Sequence, residues 1–370
     1  MHLLKALMEI EGLDISGFAA QARALDLEAI GRPLRHRRLP IPTRAMYKVW
    51  SMLGMPAVDS LLGGVDVYHA TNYFLPPTKR AKRVLTIHDI TFKKHPELCS
   101  PKIVGPFSSK VESFAREADA VIADSESTRR DIIKLFGVKP ECVHTVHLAV
   151  DDSIAPVPKM KAREIIAVKY DIRQPYVLFV STIEPRKNVH GIVEAFRKIR
   201  DDVPHRLVLA GAKGWLESDF EIEFDKEEWI DRVGASVVEN IQGKKKIEVP
   251  KGRVIQTGFI AQSDLPALYS AADALIFPSF YEGFGLPVLE AMACGCPVIT
   301  ANNSSLPEVG GDAAEYCDAN DVDSIANAMR RVLSDESLRE QMRQRGFAQA
   351  AKFSWKKAAE ETAAVYRSVC

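Results

Sequence analysis

No charge sign dominates this 370-residue chain: 49 lysines and arginines stand against 49 aspartates and glutamates. Such a balance excludes a protein held to nucleic acid chiefly by electrostatics. Long apolar runs are missing too. The longest, Tyr176–Ile183 and Ala271–Phe280, fall far short of the roughly 18–20 residues a membrane span needs. Glu9, Glu11 and Asp14 stand where a secretory signal would have an unbroken apolar core. Cysteine is scarce at six residues, of which only Cys294 and Cys296 are close together; that gives neither a disulfide framework nor a zinc pattern, and reads as reduced thiols, with Cys294 and Cys296 buried. There is no complete Gly-x-Gly-x-x-Gly fingerprint, which argues against a dehydrogenase, and no nucleophile elbow around Ser125-Glu-Ser127, which reads as a helix cap. Asp321-Val-Asp323 has the spacing of a metal-binding pair, yet Ile325, Ala328 and Met329 follow at helical spacing, so it reads as a helix start. What remains is a cytoplasmic, enzyme-sized chain whose 46% apolar content suffices for two domain cores.

The zero net charge conceals an asymmetry. Residues 1–150 carry a basic excess of five, much of it in Arg32, Arg35, Arg37 and Arg38 and in Lys79, Arg80, Lys82 and Arg83. Solvated surface accounts for such clusters; peripheral association with an anionic membrane is the sharper expectation. Strand-like and helix-like segments alternate along the whole chain, the pattern of an α/β protein with parallel sheets. In the first half the strands are read at Val65–Ala70, Arg83–Ile87, Ala120–Ala123 and Cys142–His147. In the second they are read at Tyr176–Ser181, Arg206–Ala210, Val254–Thr257, Ala274–Phe277, Pro297–Thr300 and Glu315–Cys317. The alternation breaks between Asp151 and Gln174, which predicts domains over 1–160 and 174–350 and a ligand at the strand carboxyl ends, between the halves. The charged stretch Glu217–Gly252, with Gly243-Lys-Lys-Lys246, reads as a solvated surface insertion that binds no nucleic acid.

Two strand-to-helix turns carry the chemistry. In Phe277-Pro-Ser-Phe-Tyr-Glu-Gly-Phe-Gly-Leu-Pro-Val-Leu-Glu290, a glycine-rich loop feeds a helix opened by Pro287. The free N–H groups of such a helix start are an anion site, and glycine allows close approach of a phosphate or sugar. Glu282 and Glu290, the latter placed on the first helical turn, are carboxylates suited to sugar and ribose hydroxyls. In Ser181-Thr-Ile-Glu-Pro-Arg-Lys-Asn188, Arg186 and Lys187 put two cations where a diphosphate would sit. Turns at Gly211-Ala-Lys-Gly214 and Thr257-Gly258 complete the set.

These motifs resemble the family 4 retaining glycosyltransferases of the GT-B class, in the mannosyltransferase-like branch. Glu282 and Glu290 match the E-x7-E signature, and Thr182-Ile-Glu-Pro-Arg-Lys-Asn188 the branch's variant of the first turn. Ser304-Ser-Leu-Pro-Glu308, Asp66-Val-Tyr-His-Ala-Thr-Asn72 and Thr86-Ile-His-Asp89 fit as well. The resemblance implies two Rossmann-like domains facing each other across a cleft, with helix 354–370 packing back on the first. It implies a GDP-mannose or UDP-hexose donor, a glycan or lipid-linked acceptor and no metal cofactor. By residue, it puts Arg186 and Lys187 on the diphosphate, Glu282 on the transferred sugar and Glu290 on the ribose. The backbone of Gly283, Phe284, Gly285 and Leu286 would lie along the donor with Gly258 nearby, and His88 would come from the acceptor-side domain. Family members usually open with a strand and glycine-rich loop ahead of the helix read here at Leu3–Glu9. Their absence sets an alternative expectation, an impaired GT-B protein serving as a binding partner or subunit.

Overall fold

A computed structural model describes residues 1–20, 34–39, 41–100, 104, 106–173, 175–212, 214, 222–224, 247–249 and 253–370. Arg32, Lys213 and the lysine run 244–246 lie outside the described residues. The chain divides into two compact units, one of residues 1–94, 102–149 and 353–370, the other of residues 95–101 and 150–352.

In the first unit, strands β1 (Ser16–Ala20) and β2 (Arg35–Leu39) form a parallel pair of their own. Strands β3 (Val67–Ala70), β4 (Lys82–Ile87), β5 (Ala120–Ala123) and β6 (Val143–Thr145) form a parallel sheet in sequence order. The central strands are buried apolar runs: Val84, Leu85, Ile87, Val121 and Ala123 are at most 1% exposed, as parallel sheets covered on both faces require. The C-terminal helix Trp355–Val369 closes this core, setting Ala358 and Val365 against Val84, Ala120, Ile122 and Val146. Its Ala359 and Ala363 also pack on Leu7 of the first helix, His2–Leu7. His69 on β3 ties the arrangement together, with Nδ1 2.6 Å from the Tyr366 hydroxyl and Nε2 2.7 Å from Thr86 Oγ1.

The second unit has a six-stranded parallel sheet. In chain order its strands are β7 (Tyr176–Val180), β8 (Arg206–Ala210), β11 (Val254–Gly258), β12 (Ala274–Phe277), β13 (Val298–Ala301) and β14 (Ala314–Cys317); β9 (Ile222–Phe224) and β10 (Ile247–Val249) pair separately. The spatial order is β11-β8-β7-β12-β13-β14. The chain therefore winds outward from β7 in one direction and returns on its other side at β12. That reversal opens a crevice at the carboxyl ends of β7 and β12, where ligands of such sheets bind. The helix Val189–Ile199 covers one face with a stripe of Val189, Ile192, Val193, Phe196 and Ile199, all buried.

Candidate functional site

The loops that follow β7 and β12 meet at the switch point. After β7 the chain makes a short turn, Pro185–Lys187, and ends it at Asn188, whose φ of 56° is left-handed. Asn188 then caps the next helix by accepting from Gly191 N, while its Nδ2 donates to Ala319 O at 2.7 Å. Asparagine tolerates this conformation better than most residues. After β12, Gly285 stands at φ 110° as the N-cap of the helix Leu286–Ala293, with Pro287 in its first turn. The loop is tied down from the other side: the single Ser305 hydroxyl proton is shared between Phe284 O at 2.7 Å and Glu282 O at 3.0 Å, and Glu282 N donates to Ser304 Oγ at 3.1 Å.

This scaffold brings Arg186, Lys187 and Glu282 into direct contact. Lys187 Nζ donates to Glu282 Oε1 at 2.6 Å, and Arg186 Nη1 to Glu282 Oε2 at 2.8 Å. Arg186 also pairs with Glu184 at 2.8 Å, and Lys187 sits 5.0 Å from the centre of the Phe277 ring. Glu184, Lys187 and Glu282 are all buried. Burial alone would push the Glu282 carboxyl up, but Lys187 and Arg186 beside it hold it below the ordinary glutamate range. Two carboxylates and two cations thus form a compact cluster of zero formal charge. The sequence motifs assign the cations and Glu282 to different parts of a donor; in the folded chain they are partners. Glu184 and Ser305 went unsingled in the sequence, although both stand inside the quoted motifs.

The glycines of the neighbouring turns allow strand ends to close on one another. A Cβ on Gly211 would lie 1.8 Å from Ser181 O, and one on Gly214 2.6 Å from Ile183 O. Gly211 N donates to Gly258 O at 2.9 Å, and Gly258 itself, at φ 68°, follows an irregularity of β11. Gly283 and Phe284 are buried and Leu286 is half-buried.

Glu290 departs from its predicted place. It is the fifth residue of its helix, beyond the first turn, because the helix starts at Leu286. There the Tyr269 hydroxyl donates to its Oε2 at 2.8 Å, and burial raises its carboxyl above the ordinary range despite that bond. Asp321 is a helix N-cap that accepts from Asp323 N, and Asp323 pairs with Lys198. Among the described residues no group of three His, Cys, Asp or Glu could hold a metal ion.

His88 belongs to the first unit, at the carboxyl end of β4. Its Nδ1 is 2.8 Å from Asp124 Oδ2 and its Nε2 3.0 Å from Thr71 O. Both nitrogens face acceptors, so the geometry favours the doubly protonated ring; burial opposes this, but Asp124 outweighs it and the imidazole is raised above its usual value. Asp124, almost wholly buried, was not foreseen, since a charged residue just past the apolar run of β5 reads as the start of a solvated turn.

Residues 162–349 match the family described as glycosyl transferases group 1, and residues 1–154 that described as glycosyltransferase family 4. O-antigen chain mannosyltransferase B of Escherichia coli is 34% identical over 304 residues, covering 81% of this chain and 74% of that protein. Serotype-specific mannosyltransferase WbdA of the same organism is 30% identical over 277 residues, 74% of this chain but 32% of WbdA, so the chain spans about a third of that relative. Among solved structures, Anabaena Alr3699/HepE in complex with UDP and glucose aligns with a TM-score of 0.68 at 17% identity, covering 95% of this chain and 91% of that one.

Proposed function

Because the chain belongs to the group 1, family 4 glycosyltransferases, enzymes of the GT-B fold, we propose that it moves a hexose, mannose by preference, from a nucleotide-diphosphate sugar to a glycan or lipid-linked acceptor, with retained anomeric configuration. The acceptor would belong to surface polysaccharide synthesis, and GDP-mannose is the preferred donor. The meeting of Arg186, Lys187 and Glu282 at the strand switch point carries this reading. The names of the two Escherichia coli relatives support mannose and a surface glycan, and the UDP complex of HepE supports a nucleotide donor.

The cluster suggests how donor recognition works. A diphosphate competes with Glu282 for Lys187 and Arg186, and the released carboxylate becomes free to accept from the hydroxyls of the sugar. Charge gained by the leaving diphosphate is met by the two cations and by the amino end of the helix Leu286–Ala293, fixed donors that act where charge develops. These side chains supply the neutralisation a metal ion would otherwise give, so no cofactor is required. His88, held by Asp124, is the catalytic candidate of the first unit.

Calorimetric titration of a panel of nucleotide sugars and of GDP and UDP, with and without EDTA, tests this reading. GDP-mannose is expected to bind in EDTA and to be slowly hydrolysed. Strict dependence on magnesium would overturn the metal-free mechanism. Tight binding with no turnover on any acceptor would favour a binding protein of the same fold.

A further inference from the structure

The helix Thr43–Leu53 wears apolar side chains on its outer face. Its inner side is Met46 and Trp50, both buried, with the Trp50 ring packed near Phe18 and Phe74 and its indole N–H donating to Pro56 O at 2.9 Å. On the solvent side, at i, i+4 and i+7, stand Ala45, Val49 and Met52, all exposed. Leu53 and Met55 extend the ridge; Met52 is 71% exposed, Leu53 66% and Met55 60%. Ten large apolar residues are exposed among the described residues, and six of them lie between Ile41 and Met55. Scattered exposed apolar residues are ordinary, but a contiguous ridge marks a contact surface.

The segment that carries the ridge is charged with one sign only. No aspartate or glutamate occurs from Ala29 to Val58, a stretch with five arginines and Lys48. Arg37 and Lys48 are exposed, and Lys110 reaches the helix by donating to Ser51 Oγ at 3.3 Å. Arg35 in this stretch pairs with Asp14, and the other basic run is partly neutralised as well: Lys82 pairs with Asp119 at 3.1 Å and Arg83 with Glu117 at 3.6 Å. Hydrocarbon beneath a plane of negative headgroups is the surface that complements an apolar ridge bordered by cations. We propose that the helix Thr43–Leu53 seats the first unit on an anionic lipid bilayer. Val49, Met52, Leu53 and Met55 dip into the headgroup boundary, and Arg37 and Lys48 lie against the phosphates.

Sedimentation of the full chain with phosphatidylcholine vesicles, alone or mixed with phosphatidylglycerol, at low and high salt, decides the matter. Wild type is expected to favour the anionic vesicles, less so at high salt. Met52→Ser/Leu53→Ser/Met55→Ser should weaken partition about tenfold or more at both salt levels, from lost apolar burial. Arg37→Glu/Lys48→Glu should weaken it by a similar factor of about ten, but at low salt only. Met160→Ser, an exposed apolar side chain of the second unit, should leave it unchanged. All these residues are exposed, so melting curves should match wild type, and GDP titration of the same proteins reports separately on the donor reading. Equal binding to neutral and anionic vesicles, or binding untouched by both multiple variants, overturns the proposal. A dimer seen by light scattering that the triple serine variant dissolves would overturn it as well, assigning the ridge to a second copy of the chain.

Discussion

Glu282 holds two cations at once, so its removal does more than delete one contact. With Glu282→Gln, Arg186 and Lys187 lose a shared counter-charge and meet an incoming diphosphate unopposed. GDP affinity should therefore hold or tighten while transfer falls steeply. Lys187→Ala should weaken GDP binding and transfer together, by about 1.5–3 kcal/mol. Calorimetry beside single-turnover transfer checks both; a Glu282→Gln variant that loses GDP affinity as severely as Lys187→Ala would refute the partner exchange. Stability should register the pairing as well, because a buried charge stripped of its partner costs about 3–5 kcal/mol. His69 gives a second prediction. Burial pulls its imidazole down to about 4, with the His88 charge adding to the effect. Between about pH 6.5 and 4 the unfolded chain takes up this proton and the folded chain does not, so stability falls with pH by up to about 3 kcal/mol. His88, raised in the folded state, acts in the opposite sense: its contribution is complete below its unfolded value and is lost as pH rises through the folded one. Urea unfolding of wild type and His69→Gln at neutral and acid pH should show a shallower slope for the variant; an unaltered slope would remove His69 from the account. The sequence exposed Arg186, Lys187 and Glu282 individually, because each sits in a loop with a strand before it and a helix after it. It could not expose their pairing, which joins positions 95 and 96 apart.

At the scale of elements, the site rests on turns that lean on each other. Ser181 N donates to Ala210 O at 3.0 Å, and Ile183 N to Ala212 O at 2.9 Å, so the loops after β7 and β8 are held as one piece. Gly211→Ala would drive a methyl into Ser181 O and force these turns apart. The expected cost is about 3 kcal/mol or more, with weaker GDP binding as Arg186 and Lys187 shift. Thermal melting and GDP titration of the variant measure the two effects; a protein as stable as wild type would mean the turns are not coupled. Strands β8, β5 and β12 were legible to the residue, because a parallel strand buried on both faces is an unbroken apolar run bounded by polar turns. Strands β1 and β2 were not. Ser-Gly-Phe-Ala-Ala and Arg-His-Arg-Arg-Leu have neither alternation nor an apolar run, and charged residues on an exposed strand resemble a solvated loop. The helix Thr43–Leu53, by contrast, has a clear 3.6-residue apolar period and was legible, though it does not figure among the elements read above.

At the scale of the molecule, the first unit is assembled from both ends of the chain. Without residues 353–370, the apolar faces of Val84, Ala120, Ile122 and Val146 lose their cover. A chain ending at Lys352 should keep nucleotide binding by the second unit while the first becomes protease-sensitive. Limited proteolysis with GDP calorimetry tests this, and a first unit that stays resistant would show that the last helix is dispensable. The same arrangement has a consequence for synthesis. The ribosome completes residue 149 long before it reaches residue 353, and at about 5–20 residues per second the interval is about 10–40 s. Throughout that time the nascent first unit carries an uncovered apolar face, while the second unit can fold as it emerges. Maturation of this enzyme therefore runs from the middle of the chain outward, and chaperone protection is needed most by the half that is made first.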